Sequence, residues 1–349
     1  MTSITAVLIA GFIAISGSVP AHAVGSDDLA WIGTNATVSG GDGLLTKYSG
    51  AANPTVSVPA PLGYALATDN TFLYFISSGN LVKTNLDGTG QTTVLANLAG
   101  QTPALTSVLG LTISAGNIYI VDGTAGVFRY PLSGGSLTKV NNGGISVNGA
   151  TQGLAAQLIV ATSSTLYWGE SDGLHNWTIG GTPGTEGTVK PNSDFDTLSG
   201  LNSNGYVYSL AQESNNLVIT TINGSGNALL FQLPSGGSWA FIITLPSAMY
   251  AAGLAMSPTA IYYTDFGGSV FSISRTGTNP ATVFSYSNDS EAVVWVNPSV
   301  TPPTPSPTPV TPELPNTGAD YSAAITFMLL SFAAGIALLI SRRNIFRKN

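Results

Sequence analysis

The feature that most constrains the fold is a short aromatic-centred segment that recurs through the middle of the chain. Its copies are Leu29–Thr34, Phe72–Ser77, Asn117–Asp122, Thr165–Glu170, Tyr206–Ala211 and Ala260–Asp265. The aromatic residues at their centres are Trp31, Tyr74, Tyr119, Tyr167, Tyr208 and Tyr262, at intervals of 43, 45, 48, 41 and 54 residues. A period of about 40–50 residues is typical of a β-propeller, in which each repeat forms one blade.

Further strand-like runs accompany each aromatic segment. A second apolar run follows it and ends at a turn pair such as Asp87-Gly88, which tolerates positive φ. A third short run comes next, as at Thr92–Leu95, and a fourth precedes the aromatic segment, as at Gly253–Met256. These runs are rich in β-branched and aromatic residues, which favours strands. Four strands per unit is the composition of a propeller blade.

The two ends of the repeat region complement each other. The first unit begins almost directly at Trp31 without a leading strand, and the last unit is followed by an unpartnered strand, Ala292–Val296. We predict that this last strand joins the first unit and closes the ring, so that no sheet edge is left open. The sequence therefore predicts an all-β, six-bladed β-propeller of four-stranded blades over residues 24–297. A pair of β-sandwich domains is the alternative, because sandwiches also contain short strands with frequent turns.

The repeats resemble six-bladed propellers of the YWTD and NHL-like classes. The string YYTD at 262–265 differs from YWTD at one position, and NLDGT at 85–89 is similar to the turn that follows it. The units around Trp31 and Tyr206 keep the aromatic residue but not the acid. The resemblance implies the propeller shape, and it implies that the acid after the aromatic residue braces neighbouring backbone.

Three acids, Asp122, Glu170 and Asp265, stand at the same repeat position, three residues after the aromatic centre. Carboxylates of this kind could hold a metal ion, calcium included, or act as a general acid and base. The bracing role is the favoured interpretation, because the position follows the period of the fold. We therefore predict no catalytic residue and no cofactor, with these acids as the candidates for a metal site.

Two other features are candidate sites. His175 is the one histidine after residue 23, and a lone histidine is more often a packing or surface residue than a catalytic one. Asp194 and Asp196 alternate as in a calcium loop but lack its glycine and its terminal glutamate. This pattern predicts a solvated loop.

Composition excludes several functional classes. The chain has no cysteine, which excludes disulfides, thiolate nucleophiles and cysteine-ligated metals. It has two histidines, His22 and His175, which excludes a metal site built from several histidines. Residues 24–317 carry six cationic and sixteen acidic side chains, a net charge of −10. Nucleic acid is therefore not an expected partner, because phosphate binding needs basic patches.

The N-terminus has the pattern of a secretory signal peptide. An apolar run, Ala6–Ile15, is followed by breakers and then by Ala21-His22-Ala23. Small residues at Ala21 and Ala23 are what signal peptidase requires, so we predict cleavage after Ala23 and a signal peptide over residues 1–23.

The C-terminus combines three signals. Leu314, Pro315, Asn316, Thr317 and Gly318 form the string LPNTG. Ala323–Ile340 follows with eighteen uncharged residues, about the length that crosses a bilayer, and four cations after it favour a cytoplasmic end. The order of the three signals resembles the LPXTG sorting signal of Gram-positive surface proteins.

This resemblance implies a covalent anchor. A sortase would attack the carbonyl of Thr317 and release the chain from Gly318 onward, so that residues 319–349, the span and basic tail, are removed. A peptidoglycan precursor would then take over Thr317. Residues 298–313, rich in Pro and Thr, would form an extended linker through the wall.

The sequence therefore predicts a secreted protein, anchored covalently in the cell wall, that touches the membrane only before sorting. Its propeller is expected to be a binding or adhesion module for an unknown extracellular glycan or protein. The alternative is a wall-bound propeller enzyme, a lyase or lactonase-like hydrolase with a metal at the central channel. A purely structural coat component is a third reading.

Overall fold

The structure is a computed structural model, and it describes residues 29–34, 44–49, 56–59, 62–145, 157–200, 203–223, 227–249, 253–265, 269–278, 280–285 and 290–296. The predicted signal peptide, the linker, the LPNTG string and the apolar span Ala323–Ile340 lie outside these ranges. Within them, no helix is both long enough and apolar enough to cross a membrane.

Strands dominate the described residues. In chain order they are β1 (Leu29–Thr34), β2 (Leu44–Ser49), β3 (Val56–Pro59), β4 (Leu62–Thr68), β5 (Phe72–Ser77), β6 (Asn80–Asn85), β7 (Thr92–Leu95), β8 (Val108–Ser114), β9 (Asn117–Asp122), β10 (Gly126–Pro131), β11 (Thr138–Lys139), β12 (Ile159–Ala161), β13 (Thr165–Glu170), β14 (Gly173–Thr178), β15 (Gly187–Pro191), β16 (Ser203–Glu213), β17 (Asn216–Asn223), β18 (Asn227–Leu233), β19 (Ala240–Met249), β20 (Leu254–Met256), β21 (Ala260–Thr264), β22 (Ser269–Ser274), β23 (Ala281–Ser285) and β24 (Ser290–Val296). One α-helix, α1 (Asn192–Ser199), and a 3-10 turn at Leu98–Gly100 complete the described elements.

The described strands form six antiparallel four-stranded sheets. Five of them are built from consecutive strands, namely β4–β7, β8–β11, β12–β15, β16–β19 and β20–β23, and the sixth has the order β24-β1-β2-β3. The first strand of each sheet packs beside the first strand of the next, from β4 through β8, β12, β16 and β20 to β24, which returns to β4. We call these six the inner strands. Sheets arranged radially around such a circuit form a β-propeller, not a pair of sandwiches.

The last strand of the propeller joins the first sheet. β24 pairs antiparallel with β1, so that Trp31 lies opposite Val294 and Leu29 opposite Val296, with a register shift between Gly33 and Thr34. The pairing that the sequence predicts for residues 292–296 is therefore present. It supplies hydrogen-bond partners to an edge of β1 that would otherwise be open to another chain.

Neighbouring sheets pack face to face through the repeated aromatic residues. Tyr74, Tyr119 and Tyr262 are almost completely buried. The ring of Tyr119 on β9 lies 6.5 Å from that of Trp177 on β14, in the next sheet along the chain. These aromatics therefore belong to the core between sheets, as their coincidence with the repeat indicates.

The strand position predicted for the Tyr208 segment is wrong. In five sheets the aromatic segment is the second strand, but the segment around Tyr208 lies in β16, an inner strand. The second strand of that sheet is β17, which carries no aromatic residue. This shift explains the uneven spacing of 41 and 54 residues on either side of Tyr208. Aromatic and β-branched residues suit either strand, because both are buried.

Asp194 and Asp196 lie in a helix, so the prediction of a solvated loop there is wrong. α1 lies between β15 and β16, and its Phe195 is completely buried. The Phe195 ring packs 5.0 Å from Phe231 and 5.7 Å from Trp239. Burial of this one aromatic side chain holds the short helix against the sheet of β16–β19.

Candidate functional site

A cavity of about 320 Å³ lies within the circuit of inner strands. Each of the six strands contributes to its wall, through residues such as Leu66, Leu111, Ile159, Leu210, Leu254 and Val293. An inner strand has a neighbour within its sheet on one side only, so its other edge presents backbone N–H and C=O groups towards the axis. The cavity is therefore surrounded by peptide donors and acceptors as well as by aliphatic side chains.

Gln157 crosses this cavity. Its side-chain Nε2 donates to the carbonyl oxygen of Val293 at 2.5 Å, and its Oε1 accepts from the backbone N–H of Leu254 at 2.7 Å. Its own backbone carbonyl accepts from the N–H of Leu210 at 3.0 Å. Gln157 lies two residues before β12, whereas these partners lie on β24, β20 and β16. One residue therefore ties four inner strands together.

The chemistry of a primary amide explains this role. It offers one acceptor and two donors, the same groups that a neighbouring peptide unit would offer to an open strand edge. Gln157 is 5% exposed and has a positive φ of 62°, which residues other than glycine rarely adopt. Such a backbone conformation is retained where the surrounding contacts determine it.

The polar end of the cavity lies where the inner strands end. Ser114, the last residue of β8, donates to the carbonyl oxygen of Thr162 just after β12 at 3.2 Å, so the ends of neighbouring inner strands share one face. Asn70, Gln212 and Trp295 line the cavity towards this face. An aromatic residue and two amide residues thus line this face of the cavity.

Glu213 is the charged side chain among the described residues that line the cavity. Its Oε2 lies 3.1 Å from Nη1 of Arg275, and its Oε1 accepts from Ser214 Oγ at 2.9 Å. Burial raises the pKa of Glu213, but the hydrogen bonds from Ser214 and Arg275 and the charge of Arg275 lower it more, so the pKa lies below its ordinary value. The carboxylate is thus ionised near neutral pH and already balanced by a cation.

Asp122 braces backbone, as the resemblance implies. Its carboxylate accepts from the N–H groups of Ser107, Thr124 and Ala125 at 2.7, 3.0 and 2.8 Å. Ser107 directly precedes β8, so the side chain of Asp122 fixes the start of an inner strand to the turn after β9. A fully buried carboxylate with these partners serves the fold.

Asp265 and Glu170 also lie away from the cavity. The Oδ1 of Asp265 accepts from the N–H of Ser269 at 2.7 Å and so links the ends of β21 and β22. Glu170 Oε1 accepts from Nε1 of Trp168 at 2.8 Å. Since neither residue nor Asp122 lines the cavity, the three acids do not converge there on a metal ion.

The structure instead brings Glu170 together with His175 and Asp172. Of these three residues, Asp172 was not predicted from the sequence. Their potential ligand atoms all lie within 4.8 Å of one another. Among the described residues, no other group of three or more His, Asp or Glu side chains comes together in this way. The three residues lie at the turn that connects β13 to β14. Because β13 runs antiparallel to β12, this turn lies where the inner strands begin. This face is opposite the polar end of the cavity.

Solved structures that match this chain are known, whereas its sequence has no such match. No protein-family model and no curated protein matches the sequence. The chain is similar to the crystal structure of the computationally designed Ika8 protein, with 13% identity, a TM-score of 0.39 and coverage of 66% of this chain. It spans 64% of the length of that designed chain. A likeness at this level indicates nothing about function.

We predict that Gln157→Leu lowers the free energy of unfolding by about 2–6 kcal/mol. Leucine fills the space, but the buried carbonyl of Val293 and the buried N–H of Leu254 lose their hydrogen-bond partners. Each such loss costs about 1–3 kcal/mol. The exposed Gln91→Leu on the protein surface should stay within about 0.5 kcal/mol of the parent. Urea unfolding followed by circular dichroism measures both. Equal stability of the two variants would show that the amide bridge contributes nothing.

Proposed function

We propose that the chain is a cell-surface protein whose propeller binds an extracellular ligand in the cavity between its inner strands. The observation that supports this most directly is the cavity itself, which combines peptide edges, an aromatic ring and amides at one face. Small-molecule sites occupy about 300–1,000 Å³, and the volume of this cavity lies near the lower end of that range. It is large enough for one small unit of a ligand.

The chemistry of the wall favours a neutral ligand rich in hydroxyl or amide groups, such as a sugar unit of a glycan. Peptide edges offer both donors and acceptors, which such groups need. Trp295 lines the cavity, and an indole is a group on which a sugar ring can stack. An anionic ligand is disfavoured, because Arg275 is already paired with Glu213.

Binding is proposed in preference to catalysis. The enzyme alternative needs a metal at the central channel, and the acids that were its candidates brace backbone or contact Trp168 instead. The closed circuit of inner strands leads us to infer six blades, with the sheet of β24, β1, β2 and β3 as the sixth.

Wall anchoring is the second part of the proposal. It is supported by the order of the LPNTG string at 314–318, the apolar span and the basic tail, together with the signal peptide. In this proposal a sortase and a peptidoglycan precursor are the partners, and Thr317 becomes the wall linkage. The linker at 298–313 would then hold the propeller away from the membrane.

Thr112→Trp tests the cavity. Thr112 is half-buried in the cavity wall on β8, whereas Thr93 is exposed on β7. We expect that ligands retained by the parent protein on an array of glycans and matrix proteins are lost by Thr112→Trp, because the indole occupies the cavity, and kept by Thr93→Trp. Retention by a folded Thr112→Trp variant would place the ligand elsewhere, and an array without any bound ligand would favour a structural role.

Thr317→Ala tests the anchor. Without threonine at the acyl position, the protein should remain in the membrane fraction instead of appearing on wall fragments released by muramidase. Thr311→Ala, in the linker six residues earlier, is the matched control and should leave wall attachment intact. If both variants reach the wall equally, the sorting interpretation fails.

A further inference from the structure

We propose that Glu170, Asp172 and His175 form a binding site for a first-row divalent transition-metal ion, for which Zn²⁺ is the test ion. The site is independent of the cavity and of the wall anchor, since it lies on the opposite face from the polar end of the cavity. It is built from one hairpin: Glu170 ends β13, His175 lies on β14, and Asp172 lies in the connection between them.

The distances match what such an ion requires. Carboxylate oxygens and imidazole nitrogens bind Zn²⁺ at about 2.0–2.2 Å, so two ligands of one ion are at most about 4.4 Å apart. The candidate atoms of the three side chains lie within 4.8 Å of one another, and His175 Nε2 is 2.7 Å from Asp172 Oδ1. Small movements complete the set. Asp172 can make them, because its side chain is 65% exposed.

Trp168 holds two of the three ligands from behind. Its indole Nε1 donates to Glu170 Oε1 at 2.8 Å, and its ring stacks on the His175 imidazole with 5.9 Å between centroids and 24° between planes. The Trp168 side chain is completely buried, so this support is fixed by the core. Metal ligands are characteristically oriented by outer partners of this kind.

The ligand types select the class of ion. Calcium takes six to eight ligands, all of them oxygens, whereas imidazole suits zinc, copper, iron and nickel. A set of one nitrogen and two carboxylates therefore favours a transition-metal ion over calcium. Three protein ligands leave a tetrahedral ion with one open position, which a water molecule or a donor group of another molecule would fill.

Titration calorimetry of the full-length protein with Zn²⁺ tests the site. We expect one Zn²⁺ per chain, at least tenfold weaker binding by His175→Gln and by Asp172→Asn, and no comparable binding of Ca²⁺. Trp168→Phe keeps all three ligands but loses the N–H donor, and it should weaken binding about 10–100-fold, the usual effect of removing an outer partner. Asp194→Asn is the matched control, a partly exposed aspartate on α1 that should leave the affinity unchanged.

A second measurement tests Zn²⁺ binding on the parent protein alone, so it applies even if a variant fails to fold. The chain has two histidines, so the imidazole signals of His22 and His175 are readily assigned by NMR, and Zn²⁺ should shift that of His175 in the parent protein. The proposal is overturned if the parent does not bind Zn²⁺, if Ca²⁺ competes equally, if the His175 signal does not respond, or if all folded variants bind with the parent affinity.

Discussion

The rest of the structure depends on how the open edges of the sheets find hydrogen-bond partners. A four-stranded sheet has two edges, and unpaired edge groups invite pairing with another chain. Here the chain returns at its end to the first sheet, where β24 pairs with β1 and becomes an inner strand. The circuit of inner strands then turns six open edges towards a common axis, where no other chain can pair with them. Closure and the central cavity therefore have the same cause.

This arrangement gives the two faces of the propeller different chemistry. Near the axis, the peptide edges need partners, and Gln157 supplies them with its side-chain amide to strands 97 and 136 residues away. Where the inner strands end, Glu213 and Arg275 neutralise each other beside the polar end of the cavity. On the opposite face, the Asp122 carboxylate accepts hydrogen bonds from backbone N–H groups, whereas Glu170 and His175 lie close to Asp172. Binding of a neutral ligand and binding of a metal ion are thus proposed for separate faces.

The periodic part of the structure could be predicted from the sequence, because strands, turns and the returning strand all leave local patterns. What the period cannot tell is the place of an aromatic segment within its sheet, so Tyr208 was assigned to a second strand although it lies on an inner one. Gln157 left no signal beyond a polar residue ahead of an apolar run, because its partners are remote in sequence. Asp172 lies close to His175 in sequence, but it does not occupy the repeated acid position that Asp122 and Asp265 share. The repeat therefore gives no indication of a role for Asp172. The helix at Asn192–Ser199 was missed because its Ser and Asp residues suggest a loop while Phe195 holds it.

Cross-linking of β1 to β24 tests the closure most directly, because the natural chain has no cysteine to interfere. Ala30 lies opposite Trp295, and side chains of directly opposed residues point to the same side of a sheet at a distance that a disulfide spans. The account predicts that Ala30→Cys with Trp295→Cys oxidises to an intramolecular disulfide, seen by mass spectrometry as one linked peptide pair. Ala30→Cys with Val294→Cys, whose side chains point to opposite sides, should stay reduced. A disulfide in the second pair and not the first, or in neither, would contradict the closed ring.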